Sequence, residues 1–369
     1  MSSGDVVAFD KTAILDLFSV KKEKLVGLDI GLSSIKIAEL VKDGKGLYKL
    51  TKYSQITLPE CALIEDEIQK KDEIIDAIDD ALVTSGINSK SVCLGLFGPN
   101  TIMRRLQLAG GTYEEIEDQV VWEAEQYLPF SAEDSKLSFH IIGENEGGGV
   151  DVLIAAAKND VIENYKDMVE QKGLKVKVVD MNVAAVANVF ETVYQEHLHL
   201  SDKSWLILDF GAQKTSFIIY RKNCVQFSKE MNIGGVMITE EIQRQFGVNY
   251  VEAEDLKITG DEKGNLPEEI IEIISDVVDA FLAEIKKTLD FYITATSDDT
   301  IENCIITGGG ALTPGLIKSL EALIGVNVEI LNPFEGIAYD EKKFTEAELS
   351  QIAYQGVTAL GLGLRELKK

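Results

Sequence analysis

The sequence predicts an α/β protein of two lobes, built by duplication and facing each other across a cleft. Three observations carry that prediction. The stretch Leu25-Val-Gly-Leu-Asp-Ile-Gly-Leu-Ser-Ser-Ile-Lys-Ile-Ala-Glu39 returns in altered form as Trp205-Leu-Ile-Leu-Asp-Phe-Gly-Ala-Gln-Lys-Thr-Ser-Phe-Ile-Ile219, so that Asp29 and Gly31 superimpose on Asp209 and Gly211. Each block then continues in alternating apolar strands and amphipathic helices. No low-complexity linker separates the blocks, so they should touch and not tumble independently.

Each copy reads as an apolar strand, an Asp, a tight Gly turn, a polar run and a second strand. A hairpin of this kind places backbone N–H groups and small hydroxyls around a phosphate, with a carboxylate beside it for a metal ion. Asp29 and Asp209 are therefore the candidates for holding Mg²⁺. Gly31, Ser33, Ser34 and Lys36 line the first turn, and Gly211, Gln213, Lys214 and Thr215 line the second. One Asp-x-Gly turn alone is ordinary β-turn chemistry. Two that share the strand, the Asp, the Gly and the polar run point to a nucleotide polyphosphate gripped from both sides.

The elements follow in order. Strands are expected at 25–31, 35–41 and 46–58, the last two separated by the turn-rich Lys42-Asp-Gly-Lys-Gly46. Ile68, Ile74, Ile75, Ile78 and Leu82 recur at helical spacing within 66–85, and a buried strand at 91–97 is closed by Gly98-Pro99. Residues 100–175 carry strands at 101–108, 138–143 and 150–157, an acidic amphipathic helix at 114–127 and a helix at 159–172 stopped by Gly173. That block is a candidate inserted subdomain. A strand at 176–180 and an Ala-rich helix at 183–193 return to the first lobe. The second lobe opens at Ser204 with the repeated hairpin and adds helices at 236–246, 253–258 and 268–296, the last with a broad apolar face that reads as core. A strand at 300–307 runs into Gly308-Gly309-Gly310, followed by a helix at 316–323, a strand at 326–331 and a closing helix at 346–364. Three glycines let a backbone pass close under a planar ring or a phosphate. Their place after the second hairpin suits an adenine platform.

Composition narrows the partners. With 36 Lys+Arg against 62 Asp+Glu, the net charge of −26 repels phosphate backbones and argues against nucleic acid and against electrostatic docking on anionic lipid. No apolar run approaches the roughly 20 residues a spanning helix needs. Phe9, Ile14, Leu15, Leu17 and Phe18 sit at helix-like spacing within 1–24, but charges interrupt them. A docking or capping helix fits better than a signal peptide. Cys61, Cys93, Cys224 and Cys304 are scattered, which suggests reduced, mostly buried thiols in a cytoplasmic protein. His197 and His199 form an HxH pair that lacks the further ligands a metal site needs.

The order of phosphate hairpin, connecting helix, second hairpin and Gly run resembles the actin/Hsp70/sugar-kinase superfamily. Within it the chain is most similar to the PilM family of type IV pilus assembly. The pieces are Leu25-Val-Gly-Leu-Asp-Ile-Gly31, Gln119-Val-Val-Trp-Glu-Ala-Glu-Gln-Tyr-Leu-Pro-Phe130, Ala155-Ala-Ala-Lys158, Asp209-Phe-Gly211, Ile233-Gly-Gly235, Ala253-Glu-Asp-Leu-Lys257 and Ile305-Ile-Thr-Gly-Gly-Gly310. The Glu-x-Glu-Gln-Tyr-Leu-Pro-Phe piece is the specific one, because the superfamily at large lacks it. The resemblance implies an actin-like (ribonuclease H-like) duplicated fold with an FtsA-type insertion at 100–175. It implies one subdomain from 25–99, 176–203 and the terminal helix 346–369, a second from 204–235 and 300–345, and a third from 236–299. It also implies ATP with Mg²⁺ in the cleft, Glu241 and Lys257 against ribose and adenine, and Gly309 and Gly310 under the base. The implied partners are the cytoplasmic tail of a PilN-like membrane protein, received in the groove beside the insertion, and the pilus motor ATPases. The implied place is the cytoplasm, at the inner face of the inner membrane, in the service of twitching motility. Self-association stays open.

One departure bears on turnover. In strongly hydrolytic relatives the connecting segment carries a Glu just before a Pro, whereas here Met181 and Asn182 stand in Val179-Asp-Met-Asn-Val-Ala-Ala185. Asp180, one position earlier, is the remaining candidate base, so at most a slow ATPase is expected. Two other readings stay open. A small-molecule, sugar-type kinase would need Asp180 as its base. An FtsA-like filament protein would need an amphipathic membrane-targeting tail, whereas Leu360 to Lys369 runs straight from the last expected helix.

Overall fold

The computed structural model describes residues 24–367 except 45, 146, 199–202, 261–264, 297 and 299. The helix expected within 1–24 therefore lies outside the described residues apart from Lys24, and His199 lies outside them too.

β1 (Val26–Ile30), β2 (Ser34–Lys42) and β3 (Tyr48–Thr57) form an antiparallel meander in which β1 is buried throughout. A central strand covered on both faces reads as a continuous apolar run, which is why β1 does. The ribbon β4 (Leu63–Ile64) and β5 (Glu67–Ile68) leads into the helix Lys71–Ser85, whose Ile74, Ile78 and Leu82 enter the core. β6 (Ser91–Leu96) then adds parallel to β1. The insertion supplies β7 (Thr101–Leu108), β8 (Ser135–Glu144) and β9 (Val150–Lys158), hydrogen-bonded in the order β7-β9-β8. β10 (Lys175–Met181) returns to the first sheet, parallel to β6.

The second sheet repeats this plan. β11 (Ser204–Phe210), β12 (Thr215–Arg221) and β13 (Cys224–Met231) form the meander, and β14 (Ile301–Thr307) and β15 (Val328–Ile330) add in parallel. β16 (Ala338–Tyr339) crosses back to the first sheet and pairs with β3. The orders β3-β2-β1-β6-β10 and β13-β12-β11-β14-β15 match strand for strand and pairing for pairing. The duplication inferred from two hairpins thus extends through both sheets.

The insertion has its own small core, in which Ile116, Val120 and Ala124 of the helix Tyr113–Ala124 cover Leu106, Leu108, Val152 and Ile154. Thr112 and Glu115 close that helix with reciprocal capping hydrogen bonds. The sequence places residues up to 175 in the insertion, and the structure shortens that block. The helix Asn159–Glu170 buries Tyr165, Met168 and Val169 in the first lobe's core, so the self-contained insertion ends with β9. In the second lobe, the helices Val236–Phe246 and Glu268–Thr296 share one core with the sheet, so 236–299 has no separate core of its own.

A further core joins the lobes. Val186, Val189 and Phe190 of the helix Asn182–Leu198, with Leu360 of the helix Val357–Gly363, pack between Leu40 of the first sheet and Ile207, Ile218 and Tyr220 of the second. Within the first lobe, glycine lets these helices pack closely: a Cβ at Gly361 would lie 1.9 Å from Ala185 O, and one at Gly27 would lie 2.0 Å from Ala359 O. The single helix expected at 346–364 breaks at Gly356 into Glu346–Gln355 and Val357–Gly363, where a Cβ would meet Ile352 O at 2.7 Å. Cys93, Cys224 and Cys304 are buried free thiols and Cys61 is exposed. Among the described residues, no helix is long and apolar enough to cross a membrane.

Candidate functional site

The two hairpins have the same loop and the same register. Ile30 pairs with Ile35 and Phe210 with Thr215, so each loop holds four residues, 31–34 and 211–214. Gly31 N donates to Ser34 O at 3.1 Å, and Gly211 N donates to Lys214 O at 2.9 Å. A Cβ at Gly211 would sit 2.8 Å from Lys214 O, so that turn closes only around glycine.

Register also sets out two matched rows. Asp29 lies opposite Lys36 and Lys36 opposite Gln55; Asp209 lies opposite Ser216 and Ser216 opposite Glu230. Residues directly opposed across antiparallel strands share a face. Each aspartate therefore heads a row of three side chains on one face of its sheet.

Asp29 is buried, and Lys36 Nζ lies 3.2 Å from its Oδ2. The Asp209 carboxyl is pushed up to about 6, first by burial and then by the negative charge of Asp29, with Glu230 adding to the rise and Lys36 opposing it. The two aspartates therefore repel each other across the lobes. Such a pair suits Mg²⁺, which binds through one or two carboxylates and completes its shell with water and phosphate oxygens. The donor set fits the ion.

The Gly run folds onto the second hairpin. Gly308 has φ +87°, and a Cβ there would lie 2.3 Å from Phe210 O and 2.6 Å from Asp209 Oδ1. Its N–H donates to Tyr354 O at 3.0 Å, while a Cβ at Gly310 would lie 3.0 Å from Phe210 Cβ. Gly309 faces Gln355. On the other side of the hairpin, Gly235 N donates to Gly211 O at 3.2 Å and Val236 N to Ala212 O at 2.7 Å. Lys257 is tied into that corner, donating to Gly235 O at 3.3 Å, Thr239 Oγ1 at 2.9 Å and Glu254 Oε2 at 2.6 Å.

Other candidates are engaged differently. Ser33 is exposed at the first tip and Ser34 is buried behind it; Gln213 is partly exposed at the second tip. Thr215 is fully buried and its hydroxyl donates to Ile233 O at 2.8 Å, so it braces β12 and does not face the loop. Glu241 binds Arg244 and Gln245 on its own helix, and the Arg244 guanidinium holds its carboxyl below the usual range.

Asp180 is not brought to the hairpins, which corrects its assignment as a base. Its Oδ2 lies 3.0 Å from Arg365 Nε, and its Oδ1 accepts from Met181 N at 2.9 Å. Successive strand residues face opposite sides of a sheet. Met181 lines an interlobe cavity, whereas Asp180 shares the side of Cys93, under the C-terminal segment. Burial raises its carboxyl and Arg365 opposes the rise.

Gln55, Glu230 and Gln355 went unnoticed in the sequence, and Gly98 was read only as a turn closing a strand. Gln55 Nε2 donates to Gln355 Oε1 at 2.5 Å, and Gly98 N donates to Glu230 Oε1 at 3.0 Å and Oε2 at 3.2 Å. The Gly98–Glu230 bond crosses between the lobes, whereas the Gln55–Gln355 bond ties β3 to the C-terminal helix Glu346–Gln355. Only strand register links Gln55 and Glu230 to the aspartates, and no local motif marks them. Beside Glu230 lies a cavity of about 360 Å³ where the insertion meets both lobes, lined in part by Leu96, Gly98, Ile102, Met103, Met181 and Lys214. The insertion is fastened to β13 there: Arg105 donates to Gln226 and to Asp151, and Ser228 Oγ donates to Met103 O at 3.1 Å.

Comparison with known proteins agrees with this geometry. The family model described as Type IV pilus assembly protein PilM matches residues 27–367. The solved PilM–PilN type IV pilus biogenesis complex contains a chain 26% identical to this one, with a TM-score of 0.82, covering 94% of this chain and 99% of that one. Ethanolamine utilization protein EutJ from Carboxydothermus hydrogenoformans is 14% identical with a TM-score of 0.56, covering 92% and 89%, and shares the fold. Cell division protein FtsA of Streptococcus pneumoniae is 24% identical over 355 residues, 83% of this chain and 75% of that protein. The fold is the actin-like, two-lobed one expected from the sequence.

Proposed function

The chain belongs to the PilM family of type IV pilus assembly proteins, and we propose that it is a nucleotide-dependent adaptor of that machinery. ATP with Mg²⁺ binds between Asp29 and Asp209. The groove between the insertion and the first lobe receives the cytoplasmic tail of a PilN-like membrane protein, which recruits the chain from the cytoplasm to the inner face of the inner membrane. From there it is coupled to the pilus motor ATPases.

One observation carries the nucleotide part: two equivalent Asp-led hairpins of identical loop and register, with the Asp209 carboxyl raised first by burial and then by the charge of Asp29. Mg²⁺ held by Asp29 and Asp209 would supply the positive charge that offsets the polyphosphate. The residues do the rest. Both loops present backbone N–H groups, Lys36 and Lys214 balance phosphate charge, and the base lies beside the Gly308–Gly310 run, which is folded onto the second hairpin. With Asp180 paired to Arg365, no base is aimed at a terminal phosphate from the connecting segment, which favours binding over turnover. The same pairing removes the base a small-molecule kinase would use.

The partner part rests on the family and on the likeness to the PilM–PilN complex. Fluorescence anisotropy with a labelled N-terminal tail peptide of the membrane partner tests it, with and without Mg-ATP. Saturable binding that responds to nucleotide is expected. No binding in either condition overturns the adaptor reading.

A further inference from the structure

Glu230 sits where an anion would. Gly98 N–H points at both of its oxygens, and Lys214 Nζ lies 3.4 Å from Oε2. The donor on the first lobe is held in place deliberately. Gly98 has φ +101°, a Cβ there would lie 2.6 Å from Asp66 Cβ, and buried Asp66 fixes the turn by accepting from Asn100 N at 3.1 Å and Asn100 Nδ2 at 3.2 Å. Lys214 ends the second hairpin loop just before β12, whose Ser216 pairs with Glu230. A backbone N–H and a lysine from opposite lobes, converging on one carboxylate beside an acidic metal-binding pair, form a phosphate-shaped donor set.

We propose that Glu230 is a built-in surrogate for the terminal phosphate of a nucleoside triphosphate. It occupies the Gly98 and Lys214 donors while the cleft lacks that phosphate, and the phosphate displaces it. This rests on the nucleotide reading given above. Displacement has a mechanical consequence. Ser228 and Glu230 share one face of β13, Gln226 sits at its bulge, and each bonds across to the insertion or the first lobe: Gln226 with Arg105, Ser228 with Met103 O, Glu230 with Gly98. Releasing Glu230 frees the end of that seam nearest the nucleotide, next to the strand that carries the insertion.

Calorimetric titration of wild type and Glu230→Gln with Mg-ATP, Mg-ADP and inorganic phosphate tests the idea. Gln keeps the shape and an acceptor for Gly98 but removes the charge that competes with phosphate. Glu230→Gln should bind Mg-ATP about tenfold more tightly, equivalent to about 1.4 kcal/mol, with Mg-ADP changed less than about twofold. Equal changes for ATP and ADP, or weaker ATP binding by the variant, overturn the proposal. A tightening of free phosphate to match that of ATP assigns the donors to phosphate at large and overturns the triphosphate-specific form. A second arm needs no nucleotide. Amide hydrogen exchange in Glu230→Ala should quicken at Gly98 and along Thr101–Leu108 by about tenfold over wild type; unchanged exchange overturns the latch even if wild type binds no ATP, an outcome that would separately end the nucleotide reading.

Discussion

Gln55 and Glu230 hold the same place in the two copies of the fold, and each bonds beyond its own sheet, Gln55 to the C-terminal helix and Glu230 to the other lobe. Gln55 is third in the row led by Asp29 and donates to Gln355 at 2.5 Å; Glu230 is third in the row led by Asp209 and accepts from Gly98 at 3.0 and 3.2 Å. The equivalent positions thus differ: a neutral amide pair fastens the C-terminal helix within the first lobe, and a carboxylate bridges the cleft. Charge-assisted hydrogen bonds are the stronger kind. The Glu230 bridge is therefore the one that the charge of a ligand can open.

Asp209 gives the apo protein a pH dependence with a definite sign. Its carboxyl stands at about 6 in the fold against an ordinary 3.8, so between those values the folded chain holds a proton that the unfolded chain has released. Stability from this group is present at low pH and falls as pH rises through 6, by about 2 kcal/mol once partial exposure is allowed for. Asp209→Asn should remove that slope in urea unfolding series run in chelator between about pH 4.5 and 7. It should also abolish the rise of Mg-nucleotide affinity over the same range, because Mg²⁺ needs the ionised carboxylate. Parallel slopes for variant and wild type would contradict the raised carboxyl of Asp209.

The packing of the C-terminal helix on the first lobe depends on absent side chains. A methyl at Gly361 has no room beside Ala185 O, 1.9 Å away, and that neighbour is backbone. Gly361→Ala should destabilise the fold by about 3 kcal/mol, read as a lowered urea midpoint, since overpacking a close helix contact forces backbone shifts. Gly173→Ala serves as the contrast. It meets nothing within 4 Å but has φ +73°, so it should cost only the left-handed strain, about 1 kcal/mol.

How far the sequence could be read follows from what is local and what is not. Asp29, Gly31, Asp209 and Gly211 were legible because strand, Asp, Gly turn and strand are contiguous, and because the motif occurs twice. The Gly308–Gly310 run was legible for the same reason. Asp180 misled because sequence position says nothing about which face of β10 a side chain takes, and an arginine near the C-terminus, Arg365, claims it. Thr215 misled because a hydroxyl in a phosphate-like run bonds equally well to a nearby carbonyl, here Ile233 O. The end of the insertion was misplaced because the helix Asn159–Glu170 follows the inserted strands without a break, yet its apolar face belongs to the first core. Glu230 and Gln55 owe their roles to register across three strands, which no window of sequence displays.

Arg105 holds the insertion against the second lobe. Its two terminal nitrogens bond Gln226 of β13 and Asp151 of β9, and Asp151 is buried. Arg105→Ala strands that carboxylate without its cation, at a cost of about 2 kcal/mol. The loss should be local: amide exchange should quicken in β7 and β9 while β1 and β11 keep their protection. Uniform loss across both lobes would mean that the insertion is integral to the global core.

Asp180 and Arg365 provide the complementary test, of a residue that looks catalytic in sequence and is structural in place. Arg365 is the cation beside a carboxylate that burial already pushes up. Asp180→Asn removes the charge that requires it and keeps the shape. That variant should leave Mg-ATP affinity and any slow hydrolysis within about twofold of wild type, because the side chain lies on the face of β10 away from the hairpins. Arg365→Ala leaves a buried, unpaired carboxylate and should cost about 1–2 kcal/mol, a penalty that disappears in the double variant. A hydrolysis rate that falls by about a hundredfold in Asp180→Asn with stability unchanged would restore it as a base, since general-base loss is of that order.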